Sequence, residues 1–248
     1  MTLTQMMLIG PLIINNMDWQ PIILTFKLAL VTTIILFFMA IPISYWLAYT
    51  RSRWKPVVEA LVSLPLVLPP TVLGFYLLLA FSPSGSFGQW IESYIGLRLV
   101  FSFEGLVLAS IIYSLPFMVQ PIHSGLTNLP KYLQESAIVL GKSRLITLVK
   151  ILLPNIKSSL LSGIVLAFAH TIGEFGVVLM IGGSIPGKTK VASIAIYDEV
   201  ESLNYPAANT YALFLIITTF LILLLVYSLN GGYFRQSIIE IRKKDTSI

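Results

Sequence analysis

Long apolar stretches alternate with short polar ones along this chain. Five of them, at about 21–49, 57–81, 104–126, 156–182 and 208–229, are long enough to cross a bilayer, which takes about 20 mostly apolar residues as helix. The N-terminal "MTLTQMMLIGPLIINN" has an apolar run too short to span. No basic stretch precedes it, so it does not read as a cleaved signal peptide either. The pattern predicts an all-α integral membrane protein. Its parts are an outer segment 1–20, a five-span membrane domain 21–230 and a polar tail 231–248.

Composition supports that class. Of 248 residues, 56% are hydrophobic and 11% charged, whereas a soluble domain carries about 25% charged residues. The net charge of +5 would suggest nucleic acid for a soluble protein, but in a membrane chain it reads as topology. Arg51, Arg53 and Lys55 follow the first span. Lys131, Lys142, Arg144, Lys150 and Lys157 lie between the third and fourth, and Arg235, Arg242, Lys243 and Lys244 follow the fifth. Only Lys27, Arg98, Lys188 and Lys190 fall on the other side. The positive-inside rule then puts the N-terminus outside and the C-terminus in the cytoplasm. The chain has no cysteine, which removes disulfides and thiolate metal sites.

Prolines interrupt two spans: Pro65, Pro69 and Pro70 in the second, Pro116 and Pro121 in the third. Each removes a backbone donor and crowds the turn before it, and the freed carbonyls need protein or water as partners. A plain kink explains one proline; three within six residues favour a lined pathway in the second span. Two outer loops predict surface helices, "WIESYIG" (90–96) and "VASIAIYDEVESL" (191–203), the latter with Ile196, Val200 and Leu203 on its apolar face.

"GGSIPGKT" (182–189) satisfies the P-loop pattern G-x-x-x-x-G-K-[ST]. A nucleotide site also needs a strand before the loop and a helix opening from it. The next element follows too soon for the crossover a parallel sheet requires. The loop also falls on the outer side, so nucleotide binding is rejected. The two histidines, His123 and His170, are too few for a metal centre of three or more ligands. An odd span count and one long basic loop argue against a secondary transporter built of inverted repeats.

The most specific signal is "LPKYLQESAIVLGKSRLITLVKILLP" (129–154). Pro130 and Gly141 suit the start and end of a helix over 130–140, and Ser143 suits the cap of a second helix leading back to the membrane. Leu133, Ala137 and Leu140 form its apolar stripe. Glu135, Ser136, Ala137, Gly141, Ile151, Leu153 and Pro154 fit the spacing E-[AS]-A-x3-G-x9-I-x-L-P. This resembles the EAA loop of the permease subunits of bacterial ABC importers, with Ser136 where alanine is usual. The resemblance implies a five-span type I ABC permease working as a homodimer. The short helix would be a coupling helix docked on one of two cytoplasmic ATPase subunits. These ATPases would bind ATP and Mg, leaving this chain with no cofactor and no catalytic residue.

The resemblance runs from about Pro21 to Asn230. "LPLVLPPTVLGFYLL" (64–78), "IGEFGVVLMIGGSIPGKT" (172–189) and "AIYDEVES" (195–202) are similar to the molybdate permeases. Ser184 stands where asparagine is common, and "KVASIAIY" replaces a stretch usually containing "LPLAIY". The related sulfate and thiosulfate permeases are the alternative, and tungstate is not separable from molybdate. The implied function is import of the oxyanion by alternating access, with an extracytoplasmic binding protein delivering it. Pro69, Pro70, Thr71, Ser110, Ser114 and Thr171 are the candidates for lining its path, although hydroxyls also serve helix packing.

"FAHTIGEFGVVLMIGG" (168–183) sets an acid inside an apolar span. Glu174 lies 17 residues beyond Lys157, about 25 Å along a helix. An unpaired charge at the membrane centre costs on the order of 3 kcal/mol. His170 is one turn earlier, within reach of a hydrogen bond to Glu174. Related permeases often carry arginine there. Gly173 and Gly176, with Ala169, predict a close helix crossing near the outer gate or dimer axis. A gating role for Glu174 is favoured over substrate contact, because a carboxylate repels an oxyanion.

Overall fold

A computed structural model describes residues 17–230. The segment 1–16 and the tail from 231, with its four basic residues, lie outside the described residues. Among the described residues, twelve α-helices follow one another, with a π-helical turn, Leu148–Leu152, between the seventh and eighth. They are α1 (Gln20–Tyr49), α2 (Lys55–Val67), α3 (Pro70–Phe81), α4 (Ser86–Ile95), α5 (Phe103–Thr127), α6 (Lys131–Val139), α7 (Arg144–Thr147), α8 (Leu153–Asn155), α9 (Lys157–Ile172), α10 (Gly176–Gly182), α11 (Ala192–Glu201) and α12 (Tyr205–Asn230).

Among the described residues, α1, α5 and most of α12 (Tyr205–Ser228) are long and apolar enough to cross a membrane alone. α5 is the central helix, packed against α1, α2, α3, α9 and α10. Leu106, Met118, Ile122 and Leu126 on it are fully enclosed, as are Leu28, Leu36 and Leu47 on α1. Ser44 Oγ donates to the Val119 carbonyl at 3.1 Å and Tyr49 Oη to the Leu126 carbonyl at 3.2 Å. These bonds fasten α1 to α5 and give both hydroxyls partners inside the bundle. α12 packs on α11 and α9 and presents Ile216, Phe220 and Leu224 outward.

The prolines act differently from their expected effect. Pro116 and Pro121 do not break the third span: α5 is continuous across both, enclosed by helices on several sides. The second span is not one kinked helix. α2 and α3 meet at a bend of 114°, with the chain extended at Leu68 and Pro69. Pro69 and Pro70 in succession have no N–H to continue the ladder, and each biases the residue before it away from helix. The fourth span is also shorter than expected. α9 stops at Ile172, and Gly173, Glu174 and Phe175 form a break before α10.

The elbow after α5 has the expected outline. α6 begins after Pro130, and Gly141 has φ +67°, the left-handed turn that suits glycine at a helix end. Ser143 Oγ accepts from the Ile146 N–H at 3.3 Å and caps α7. That second helix does not run straight into the membrane: the segment 144–155 bends by 81° before α9. Pro154 cannot give an N–H to the turn behind it, and Asn155 Nδ2 donates to the Ile151 carbonyl at 2.7 Å.

The expected stripe of α6 is only partly packed. Ala137 is buried and Leu133 half-buried, but Leu140 is exposed because the helix ends at Val139 and the chain turns away. The outer helix α11 likewise turns another face inward. Ala192, Ile194 and Ala195 are buried, while Val200 and Leu203 are exposed. Its inner face is set by its N-terminus, where Thr25 Oγ1 of α1 accepts from the Ala192 N–H at 2.8 Å.

Candidate functional site

Two sites stand at the two ends of α9, which is about 24 Å long at 1.5 Å per residue. At its start lies the elbow. Glu135 and Ser136 are exposed on α6, Ala137 is buried beneath them, and Ile151 and Leu153 are half-buried in the segment leading to α9. Pro154 is exposed at the bend. Ile138, Val139 and Leu140 form an exposed apolar patch at the tip of the elbow, Val139 being 86% exposed.

At the other end, the break after α9 opens a cleft of about 450 Å³. Pro70 and Thr71 from α3, His170 from α9, Gly173 and Glu174 from the break and Gly176 from α10 line it together. The sequence separates these six residues by a hundred positions, and the fold brings them to one place, while the other four pathway candidates, Pro69, Ser110, Ser114 and Thr171, do not line the cleft. Tyr113 of α5 and Phe175 complete the walls. Sequence reasoning missed both aromatics, because nothing local distinguishes them from other span residues.

The expected His170–Glu174 hydrogen bond does not form. α9 ends between them, so Glu174 leaves the helical register that would have stacked it on His170. His170 turns to α5 instead. Its Nδ1 and the Ser114 hydroxyl are 2.9 Å apart, and Ser114 Oγ is 3.0 Å from Thr171 Oγ1. Thr171 donates to the Ala167 carbonyl at 2.9 Å. One proton order satisfies the chain: Nδ1–H donates to Ser114, Ser114 to Thr171, and Thr171 to the carbonyl. The imidazole also stacks on Phe117, with centroids 3.9 Å apart, and contacts Tyr113 at 4.7 Å. Ser114 and Thr171 are thus buried and paired inside the fold.

Glu174 is 3% exposed, and both carboxylate oxygens are buried without a hydrogen-bond partner. The Ser110 hydroxyl, itself buried and unpartnered, faces it without closing a hydrogen bond. The backbone of the break is better held: Ser193 Oγ of α11 donates to the Glu174 carbonyl at 2.6 Å. Of the small residues, Gly176 makes a close crossing, since a Cβ there would lie 2.8 Å from Pro70 Cβ. Gly173 does not; the nearest atoms to a Cβ there are 3.8 Å away. Gly74 on α3 is the unforeseen partner, its absent Cβ falling 2.9 Å from Met180 Cβ on α10.

The loop 183–191 is no nucleotide cradle. It follows a helix, α10, and not a strand. Thr189 is buried, donating to the Gly182 carbonyl at 2.6 Å and accepting from the Ile185 N–H at 3.2 Å. Asp198 of α11 accepts from Ser184 Oγ at 2.6 Å and pairs with Lys190 at 2.8 Å. The loop clamps α10 to α11. Lys27 Nζ lies 4.5 Å from the centre of the Phe103 ring, a cation–π contact. No group of three or more His, Asp or Glu side chains that could hold a metal ion occurs among the described residues.

A bundle of long and broken apolar helices, with an exposed elbow at one end of a helix and a cleft at the other, defines a polytopic membrane component. Residues 40–236 match the family described as binding-protein-dependent transport system inner membrane component, and the chain belongs to that family. It is 44% identical over 216 residues to the molybdenum transport system permease protein ModB of Azotobacter vinelandii, covering 87% of this chain and 95% of that one. It is 33% identical to the putative molybdenum transport system permease protein YvgM of Bacillus subtilis (84% and 92% covered), and 31% identical to the sulfate transport system permease protein CysT of Escherichia coli (75% and 68%). The fold is similar to a bacterial ABC transporter that imports alginate, with TM-score 0.72 at 19% identity and 86% and 79% covered. It is also similar to the MetNI methionine ABC transporter in an inward-facing form, with TM-score 0.67 at 17% identity and 86% and 94% covered.

Proposed function

We propose that this chain is the permease subunit of an ATP-driven importer that moves molybdate, or its near-twin tungstate, into the cytoplasm. The observation that carries the cargo is the 44% identity, over nearly the full length of both chains, to a molybdenum permease. The sulfate permease matches less closely, which makes sulfate the second reading. The chain does no bond chemistry. Two copies pair in the inner membrane, with N-termini outside and C-termini inside. Two cytoplasmic ATPases bind ATP and Mg, and an extracytoplasmic binding protein delivers the anion.

The mechanism follows from the two ends of α9. The uncovered tip Ile138–Leu140 and the exposed Glu135 and Ser136 seat α6 on the ATPase. Closure of the two ATPases displaces the elbow, and α9 carries the displacement to the break at Gly173–Phe175. There the crossing of Gly176 on Pro70 opens or seals the outer side, with Glu174 as a gate element. ATP and the loaded binding protein bias the two states through their different affinities for them. Uptake of radiolabelled molybdate by the reconstituted transporter, competed with excess sulfate, tests the cargo. Uptake that sulfate fails to suppress is expected; strong competition would favour the sulfate reading.

A further inference from the structure

α5 is enclosed by its neighbours over most of its length, with one exception. Between Gly105 and Leu126, only Gln120 and Ser124 are exposed. With Tyr113, Phe117 and Thr127 they recur at steps of four, three, four and three residues, which places all five on one face of the helix. The face changes character along its length. At its upper end Tyr113 lines the cleft and Phe117 stacks on His170. Below, it carries an amide and two hydroxyls. Above, the same face continues through Ser110 and Leu106, which are completely buried. Leu106 packs so closely on α10 that a Cβ at Gly182 would lie 2.6 Å from it. The strip is therefore closed at the Glu174 end and open at the other.

Lipid is a poor neighbour for this face. Gln120 lies seven residues before the end of α5, about 10 Å into the helix. Among the described residues its amide makes one long hydrogen bond, Nε2 donating to the Ser63 Oγ of α2 at 3.4 Å, and its carbonyl oxygen makes none. Moving an unpaired amide from water to hydrocarbon costs roughly 4–8 kcal/mol, so such a group at membrane depth must meet protein or water. α2 continues the polar seam with Glu59 and Lys55, paired at 3.7 Å and 40% and 33% exposed. A polar seam running from the cleft residue Tyr113 toward an exposed ion pair is the pattern expected of a groove that holds water.

We infer that the α5 face formed by Tyr113, Phe117, Gln120, Ser124 and Thr127 is the wall of the anion's route from the His170 cleft to the cytoplasm. This rests on the transport reading above and gives it residues. Phe117 against His170 is the narrow point. Below it, the Gln120 amide and the hydroxyls of Ser63 and Ser124 offer neutral donors to an oxyanion that can only accept. Neutral donors suit a route, because a permeating ion must bind weakly enough to leave.

The chain has no cysteine, so single thiols can be placed without removing any. Gln120→Cys and Ser124→Cys, the latter a change of one atom, are compared in the reconstituted full transporter with Ile216→Cys and Phe220→Cys on the outer face of α12. Each is exposed from the cytoplasmic side to a membrane-impermeant thiosulfonate bearing a sulfonate group. The α5 thiols are expected to label, to lose transport on labelling and to label more slowly with molybdate present; the α12 thiols are expected to stay unlabelled. Transport-competent α5 variants that resist the reagent, or that label without losing transport, would overturn the route. Slowing by sulfate as effective as slowing by molybdate would keep the route and overturn molybdate as the cargo.

Discussion

Ser193 on the outer helix α11 donates a hydrogen bond of 2.6 Å to the backbone carbonyl of Glu174. That carbonyl sits in the break between α9 and α10, where no helical N–H reaches it. The bond therefore ties a surface helix, on the side where a binding protein would dock, directly to the proposed gate. Ser193→Ala leaves the carbonyl unpaired and is expected to destabilise the fold by about 1–3 kcal/mol. The check is a lowered thermal midpoint of the purified chain, with Ser193→Thr restoring much of the loss. If the tie also holds the gate shut, Ser193→Ala transporters should hydrolyse ATP faster in the absence of binding protein.

The two glycines flanking the acid separate cleanly. Gly176→Ala puts a methyl group 2.8 Å from Pro70 Cβ, and overpacking of this kind costs about 1–3 kcal/mol. Gly173→Ala meets nothing nearer than 3.8 Å and is expected to be close to neutral in stability. Thermal melts of the two variants side by side decide this. A Gly173→Ala variant that melts as low as Gly176→Ala would contradict the crossing described.

That contrast marks where sequence reasoning stops. Hydropathy located the five apolar stretches, because each must satisfy the bilayer by itself. The elbow was legible because Pro130, Gly141 and Ser143 act on their own backbone neighbours. The 114° bend at Pro69 was underestimated, since two prolines announce a break and not its angle. The pairing of His170 with Ser114, 56 residues away, depends on how α5 and α9 are rotated against each other, which no local pattern encodes. Gly173 and Gly176 look alike in the sequence for the same reason, and only α3 tells them apart. Leu140 and Val200 kept their helical spacing, but the helices end or tilt so that neither is covered.

Coupling is tested at the elbow. Glu135 and Gly141 are exposed, and nothing lies within 4 Å of a Cβ placed at Gly141. Gly141 holds φ +67°, and a bulky side chain in the left-handed region costs roughly 1–2 kcal/mol, which the rest of the bundle can absorb. Gly141→Leu and Glu135→Lys are therefore expected to insert and to assemble with the ATPase. Both should lose the stimulation of ATP hydrolysis by loaded binding protein. ATPase assays on the assembled transporter provide the reading, and normal stimulation in both variants would remove the coupling assignment.

The acid in the membrane gives the last prediction. Among the described residues no hydrogen bond reaches either carboxyl oxygen of Glu174, and His170 is turned away to Ser114. A role that depended on negative charge would need a cation facing the carboxylate, and the cleft walls offer none besides the occupied imidazole. What the site does provide is a side chain of fixed length, wedged beside Ser110 above the closed end of the α5 face. Glutamine has nearly the same length and shape and carries no charge to bury. Glu174→Gln should therefore preserve molybdate uptake and melt at the same temperature or higher, since a buried charge costs on the order of 3 kcal/mol. Glu174→Ala removes the wedge and should lose uptake while the elbow and assembly remain intact. Loss of uptake in Glu174→Gln with an unchanged melt would show that the ionisable carboxyl itself acts, and would overturn the wedge role.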